Sequence, residues 1–190
     1  VGNNAYMDLD TGNTGVDSGI FVTNSVEMES DGIERQLVVV SIRGSVTLLD
    51  WIMNLCTQFH NKAFEFEDGC EEVLESLYGY NGCTECDGND KTCPCKGYLI
   101  NHDITNPIIL VTGHSLGAAI ANLVAAELNI KMPQSDVYAY TFATPTVTSL
   151  PTTPYTNIFN ILNTNDVVTY LPNSWLIPGI NLWSRYGIDI

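Results

Sequence analysis

The sequence predicts an α/β fold: a mainly parallel sheet with helices on both faces. Three observations point there. Short β-branched runs alternate with helical runs along the chain, the order that lays strands side by side with crossover helices between them. One run, Pro107–Thr112 (PIILVT), has no polar interruption before its last residue, as expected for a central parallel strand. An alanine-rich stretch, Leu116–Leu128, follows it across a turn framed by two glycines. With 190 residues, 45% hydrophobic and 15% charged, the chain suits one domain over residues 1–190 with a single core.

Taken in order, Asp8-Leu9-Asp10-Thr11-Gly12 is spaced somewhat like a calcium loop, but its glycine arrives one position early for an EF-hand, so it reads as a turn. Gln36–Ile42 (QLVVVSI) reads as a buried strand. Thr47–Thr57 reads as a helix with an apolar stripe at Leu48, Trp51, Ile52 and Leu55. Cys70–Tyr78 is a second helix, and the acidic run Glu65, Glu67, Asp68, Glu71, Glu72, Glu75 is a solvated face. Residues 81–97 form a Gly/Asp/Cys-rich excursion that fits no regular element. Val137–Phe142 and Asn157–Leu162 are further strands, and Asn181–Ile190 closes the series.

The charge excludes some partners. Twenty-two acidic residues against 7 basic give a net −15, which repels nucleic acid and anionic lipid headgroups. No apolar stretch approaches the length of a membrane span. Val1-Gly2-Asn3-Asn4 is neither a leader nor a start, so a domain incomplete at both ends is expected.

The chemistry concentrates at Gly113-His114-Ser115-Leu116-Gly117. This G-x-S-x-G lies between a strand and a helix, where two glycines allow a very tight turn. Such a turn holds a serine at the carboxyl end of a central strand in a strained conformation with Oγ exposed. The helix N-terminus behind it offers the Leu116 N–H to a developing oxyanion. His114 is adjacent in sequence, so its ring should point away from Ser115, and it reads as a packing and hydrogen-bonding residue. The competing reading is a glycine turn with a bystander serine.

The stretch Thr112–Ala119 (TGHSLGAA) resembles the class 3 lipases, an α/β-hydrolase family. Three more segments agree in order. Ile42-Arg43-Gly44-Ser45 followed by Asp50-Trp51 is similar to that family's R-G-[ST] oxyanion motif and the helix after it. Tyr140-Thr141-Phe142-Ala143-Thr144-Pro145 resembles its Y-T-F-G-[ST]-P strand end. Asn163-x-x-Asp166-Val167-Val168, closing at Leu171-Pro172, resembles its N-x-x-D-x-V-x-x-[LI]-P segment. The resemblance implies a carboxylic ester hydrolase acting through a serine acyl-enzyme. Ser115 is then the nucleophile, Asp166 the triad carboxylate, and Ser45 and Leu116 the oxyanion donors. Asp166 also has a plain reading as a turn residue, since Asn163 and Asn165 beside it are turn formers. The helix at Thr47–Thr57 falls where the family carries a mobile cover, with Leu48, Leu49, Trp51 and Ile52 facing lipid or an acyl chain; simple packing on the sheet is the rival. The implied partner is an ester or lipid, in solution or at an interface, and catalysis needs no cofactor. The family's habit and six cysteines imply export.

The pattern breaks at the base. His60, His102 and His114 all precede Asp166, so none stands in the family's place for the triad histidine. The family often ends with H-x-G after the aspartate. Here the similar segment is Trp183-Ser184-Arg185-Tyr186-Gly187, with Arg185 in the histidine's position. An arginine stays protonated and cannot take the serine proton. Either the histidine follows Ile190, as in some bacterial members with an R-Y-G strand, or the protein is a degenerate hydrolase that binds esters without cleaving them. An adaptor role carried by the cysteine-rich loop is a third reading.

Within residues 81–97, Cys83, Cys86, Cys93 and Cys95 follow C-x2-C-x6-C-x-C. Four thiolates could hold a structural zinc and so order a loop that has no core; nested disulfides Cys83–Cys95 and Cys86–Cys93 are the rival. Cys56 and Cys70 read as small buried hydrophobes or a single pair. Zinc predicts about one ion per chain and free thiols at all four loop cysteines in the denatured, unreduced protein. A mass lower by the hydrogens of two disulfides would instead establish the oxidised loop.

Overall fold

The computed structural model describes residues 6–10, 17–27, 32, 34–44, 59–79, 97–149, 152–171 and 183–190. Among the described residues, seven strands form one sheet in the order of the chain: β1 (Tyr6–Asp10), β2 (Asp17–Glu27), β3 (Glu34–Ile42), β4 (Ile108–His114), β5 (Asp136–Phe142), β6 (Ile158–Ile161) and β7 (Ile188–Asp189). β3 to β7 run parallel, and β1 and β2 extend the β3 edge antiparallel. Three helices are described: α1 (Phe59–Tyr78), α2 (Gly97–Asn101) and α3 (Leu116–Lys131). Among the described residues, no helix is long and apolar enough to cross a membrane.

The sequential strand order decides where the helices go. A parallel crossover is right-handed almost without exception, so successive crossovers stepping in one direction put their helices on one face. α1 and α2 lie in the β3–β4 crossover and α3 in the β4–β5 crossover. α3 packs on β3, β4, β5 and β6, α1 packs on α3, and α2 packs on α1. Helices on both faces were expected; the described helices occupy one. β5 records the asymmetry by alternation, with Val137, Ala139 and Thr141 buried while Tyr138, Tyr140 and Phe142 are each 42% exposed. β4 alternates more weakly, Leu110 and Thr112 being half-buried between Ile109, Val111 and Gly113, where uninterrupted burial was expected.

The core lies between sheet and helices. Val38, Val40, Ile109, Val111 and Ala139 meet Ile120, Val124 and Leu128 of α3, and Val73, Leu74 and Leu77 of α1 close the layer. Small residues bring α3 close: Ala118, Ala119, Ala121 and Ala125 are fully buried. In α1, Cys70, Val73, Leu74 and Leu77 are buried at helical spacing, while Glu67, Asp68, Glu71 and Glu75 are exposed. The acidic run is a solvated face at these positions. Cys70 is a free thiol, its pKa pushed up to about 12 chiefly by burial, which fits a small hydrophobe and not a paired cysteine. At the amino edge, the Arg35 guanidinium of β3 reaches across β4 to pair with Asp136.

Several expectations shift. Asp8, Leu9 and Asp10 lie in β1 opposite Gly19, Ser18 and Asp17, so these three are strand and not turn. β2 was not foreseen; its register breaks between Val22 and Ser25, which interrupts the period-two pattern by which a strand is read. α1 starts at Phe59, eleven residues before the predicted Cys70. The closing strand shortens to Ile188–Asp189, preceded by a bridge from Ser184 to Thr148. The expected helix Thr47–Thr57, Cys56 and the four cysteines of 81–97 lie outside the described residues. The excursion leaves at Gly79 and returns at Gly97, and the two touch: a Cβ on Gly97 would stand 2.2 Å from the Gly79 nitrogen.

Candidate active site

The parallel strands all end at one edge, where ligands of open α/β sheets bind. β3 ends there at Arg43-Gly44, β4 at Ser115, β5 at Ala143, and β6 leads to Asp166.

Three glycines fix the turn around Ser115. A Cβ on Gly113 would lie 2.3 Å from Gly117 O, one on Gly117 2.3 Å from Ile42 O, and one on Gly44 2.6 Å from His114 O. No side chain fits at any of them, so the end of β3, the end of β4 and the first turn of α3 meet backbone to backbone. Ser115 pays the geometric cost, with φ 56° and ψ −122°, a region that L-residues avoid at roughly 1–3 kcal/mol. Its N–H donates to Phe142 O at 3.0 Å, and its carbonyl accepts from the Ala118 and Ala119 N–H groups at 3.0 and 3.1 Å. The strained elbow is as expected, but the oxygen is not open to solvent. Ser115 is 3% exposed, and its Oγ is buried without a hydrogen-bond partner among the described residues.

Leu116 is the first residue of α3 and buried; helix geometry leaves such an N–H without an acceptor in its own helix. Ser45, Leu48, Leu49, Trp51 and Ile52 lie outside the described residues, although Gly44, just before Ser45, is pressed against the elbow.

Asp166 sits on a built turn. Asn163 Oδ1 accepts from Asn165 N at 3.0 Å, and Asn163 O accepts from Asp166 N at 2.9 Å. Asp166 caps a 3-10 turn, Val167–Tyr170, its Oδ1 accepting from Val168 N at 3.0 Å and its carbonyl from Thr169 Oγ1 at 2.8 Å. The turn-residue reading is therefore realised locally, and it leaves a half-buried carboxylate at the carboxyl edge, two strands from Ser115.

Neither described histidine side chain serves this edge. His102 precedes β4, at the sheet's other end, where its Nδ1 lies 3.0 Å from Tyr98 O and its ring stacks on Tyr98 at 4.0 Å. His114 is exposed beside its register partner Phe142, so it points away from buried Ser115 as expected but is not packed. The side chain of His60 is not described.

Arg185 is in the place where a histidine was sought, and the structure gives it different work. Its Nη1 donates to Thr144 O at 2.8 Å and its Nη2 to Thr169 O at 2.9 Å, while Nε lies 3.5 Å from Asp189 Oδ1, an ion-pair contact without hydrogen-bond geometry. Burial lowers its pKa, opposed by Asp189 and Tyr170. The two residues after it are equally committed. Tyr186 exchanges bonds with Asn122 of α3, and Gly187, at φ 93°, lies so close to Ile158 that a Cβ would stand 2.4 Å from its oxygen.

The profile of the family described as lipase (class 3) matches residues 39–175. The chain belongs to the class 3 lipase family. It is 32% identical over 106 residues to secreted mono- and diacylglycerol lipase 1 of Fusarium solani, covering 56% of this chain and 29% of that one. To secreted mono- and diacylglycerol lipase A of Penicillium cyclopium it is 31% identical over 140 residues, covering 71% of this chain and 43% of the other. This class 3 lipase chain thus spans less than half the length of either relative. The triacylglyceride lipase of Rhizomucor miehei superposes with a TM-score of 0.52 over 90% of this chain and 62% of that one, at 16% identity, which establishes the shared α/β-hydrolase fold.

Three parts of the site were not foreseen. Phe142 O anchors the Ser115 nitrogen, Arg185 joins two loops, and buried Asn122 and Asn160 tie α3 to the closing strand. Asn122 alone left a sequence signal, as a polar residue in an apolar helical stretch.

Ala143 stands where the family motif has glycine, and its φ is 52°. Glycine adopts that conformation without the penalty of a Cβ. Ala143→Gly should therefore stabilise the fold by about 0.5–1 kcal/mol, after allowing for the greater freedom it gives the unfolded chain. Denaturant titration with an unchanged slope would show it as a higher midpoint; a lower midpoint would mean that the Ala143 methyl packs usefully.

Proposed function

We propose that this chain is the nucleophile-bearing core of a carboxylic ester hydrolase, acting on acylglycerols or related esters through a serine acyl-enzyme. The backbone of Ser115 carries this reading: a non-glycine residue at φ 56°, ψ −122°, held at the end of a central parallel strand with a helix N-terminus behind it. Family membership and relatives bearing mono- and diacylglycerol lipase names support it.

In this reading Ser115 Oγ attacks the ester carbonyl carbon and passes its proton to an imidazole. The carbonyl oxygen becomes an anion held by the Leu116 N–H and by Ser45, the residue that follows Gly44 in sequence. Collapse expels the alcohol, which takes the proton back, and water then releases the acid by the same steps. β4 and β6 lie two strand spacings apart, about 10 Å. A histidine bonded through one ring nitrogen to Ser115 and through the other to Asp166 suits that gap, and neither His102 nor His114 takes that place. Asp166 fixes its tautomer and stabilises the imidazolium. The relatives named as secreted and the six cysteines support export of the whole protein.

Hydrolysis of a chromogenic short-chain ester by the full gene product tests this. Ser115→Ala should lower kcat by about 10⁴-fold or more, and Asp166→Asn by about 10⁴-fold with KM little changed. Retained turnover in Ser115→Ala would contradict the assignment.

A further inference from the structure

Two stretches of chain set the separation of Ser115 and Asp166. The first is the end of β5: Phe142 O accepts the Ser115 N–H, and Ala143 N donates to Ile161 O at 3.1 Å, so Phe142–Thr144 follows the elbow directly. The second is the 3-10 turn from Asp166, whose carbonyl accepts from both the nitrogen and Oγ1 of Thr169. One side chain holds both. The guanidinium of Arg185 donates one nitrogen to Thr144 O and the other to Thr169 O, with its side chain 11% exposed.

Arg185 is itself fixed from behind. Ser184 is bridged to Thr148, and Tyr186 donates to Asn122 Oδ1 at 3.0 Å while its carbonyl accepts from both Asn122 and Asn160. Asn160 also donates to Asp189 Oδ1, the oxygen facing Arg185 Nε. A planar fork on a fixed base measures the distance between its two acceptors. Two residues past Thr169 the segment has a separate tie, Thr146 donating to Leu171 O from both its nitrogen and its hydroxyl; the clamp reaches Asp166 through Thr169, whose nitrogen and hydroxyl both bond the Asp166 carbonyl.

We infer that Arg185 is a positioning residue that fixes the Asp166 carboxylate relative to Ser115, by bridging the carbonyls of Thr144 and Thr169. The inference rests on the proposed triad role of Asp166. Arg185 takes no proton and touches no reacting atom; it acts through the two loops it joins. The residue that occupies the expected place of the base thus serves the same triad indirectly.

The test is a double-mutant cycle in the full gene product, with Arg185→Lys and Arg185→Gln each made alone and in an Asp166→Asn background. A lysine keeps the charge but cannot hold both carbonyls in one plane. Either variant should lower kcat by about 10- to 100-fold, the scale of a small misplacement at a reacting centre, with KM nearly unchanged. With Asp166→Asn present, the same substitutions should cost less than about threefold further, as expected for residues acting through one interaction. Equal losses in both backgrounds would overturn positioning through Asp166. Amide hydrogen exchange supplies a readout independent of turnover: Val168 and Thr169 should exchange faster in Arg185→Lys, while Val124 and Ala125 in α3 stay protected. Unchanged exchange at Val168 and Thr169 would overturn the clamp alone. If the unsubstituted protein shows no Ser115-dependent hydrolysis, the function reading fails, and the catalytic part of this inference fails with it.

Discussion

Where β3, β4 and α3 converge, three glycines leave no room for any side chain, and the architecture around the site follows from that contact. Gly44, Gly113 and Gly117 let carbonyls and nitrogens of three segments approach to distances that a single Cβ would forbid. The chain between β4 and α3 must then turn within Ser115, which forces its unfavourable backbone angles. Alanines at 118, 119 and 121 continue the close approach along the helix, so α3 lies low on the sheet and α1 can stack on it. Strain at one serine is thereby over-determined by the packing of a large part of the core.

A second constraint is polar. Asn122 and Asn160 are fully buried, yet each is hydrogen-bonded: to one another at 2.9 Å, to Tyr186, and through Thr141 to Thr144. A buried polar chain that is satisfied throughout tolerates few rearrangements, because each broken bond leaves a desolvated group behind. This chain starts on the helix behind Ser115 and ends at the loop that Arg185 holds. It ties α3 to the stretch after β5, one of the two segments that Arg185 joins.

How much of this could be read from the sequence depended on whether side chains or backbone carry the interaction. The elbow was legible because a strand, a glycine-framed serine and a small-residue helix each impose visible demands on residue type. The parallel strands β3 to β6 were legible from their β-branched runs. β2 was not, because its bulge breaks the alternation. The first half of α1 was hidden because the acidic residues Glu65, Glu67 and Asp68 and then Gly69 separate its first residues from the apolar repeat that begins at Cys70. The role of Arg185 was illegible in principle: its acceptors are the carbonyls of Thr144 and Thr169, which any residue could supply. The exposed Tyr138, Tyr140 and Phe142 face was also unforeseen, since apolar residues in a strand give no sign of which face a helix will cover.

The central claim is that this folding geometry makes Ser115 an activated nucleophile, and covalent labelling tests it most directly. An alkyl fluorophosphonate reacts when a serine oxygen attacks phosphorus and fluoride departs, a step that an unactivated hydroxyl does not perform at neutral pH. In the full gene product, peptide mass mapping should find one adduct per chain, on Ser115, and none in Ser115→Ala. Failure to label the folded protein, or an adduct at another serine that persists in Ser115→Ala, would contradict the account.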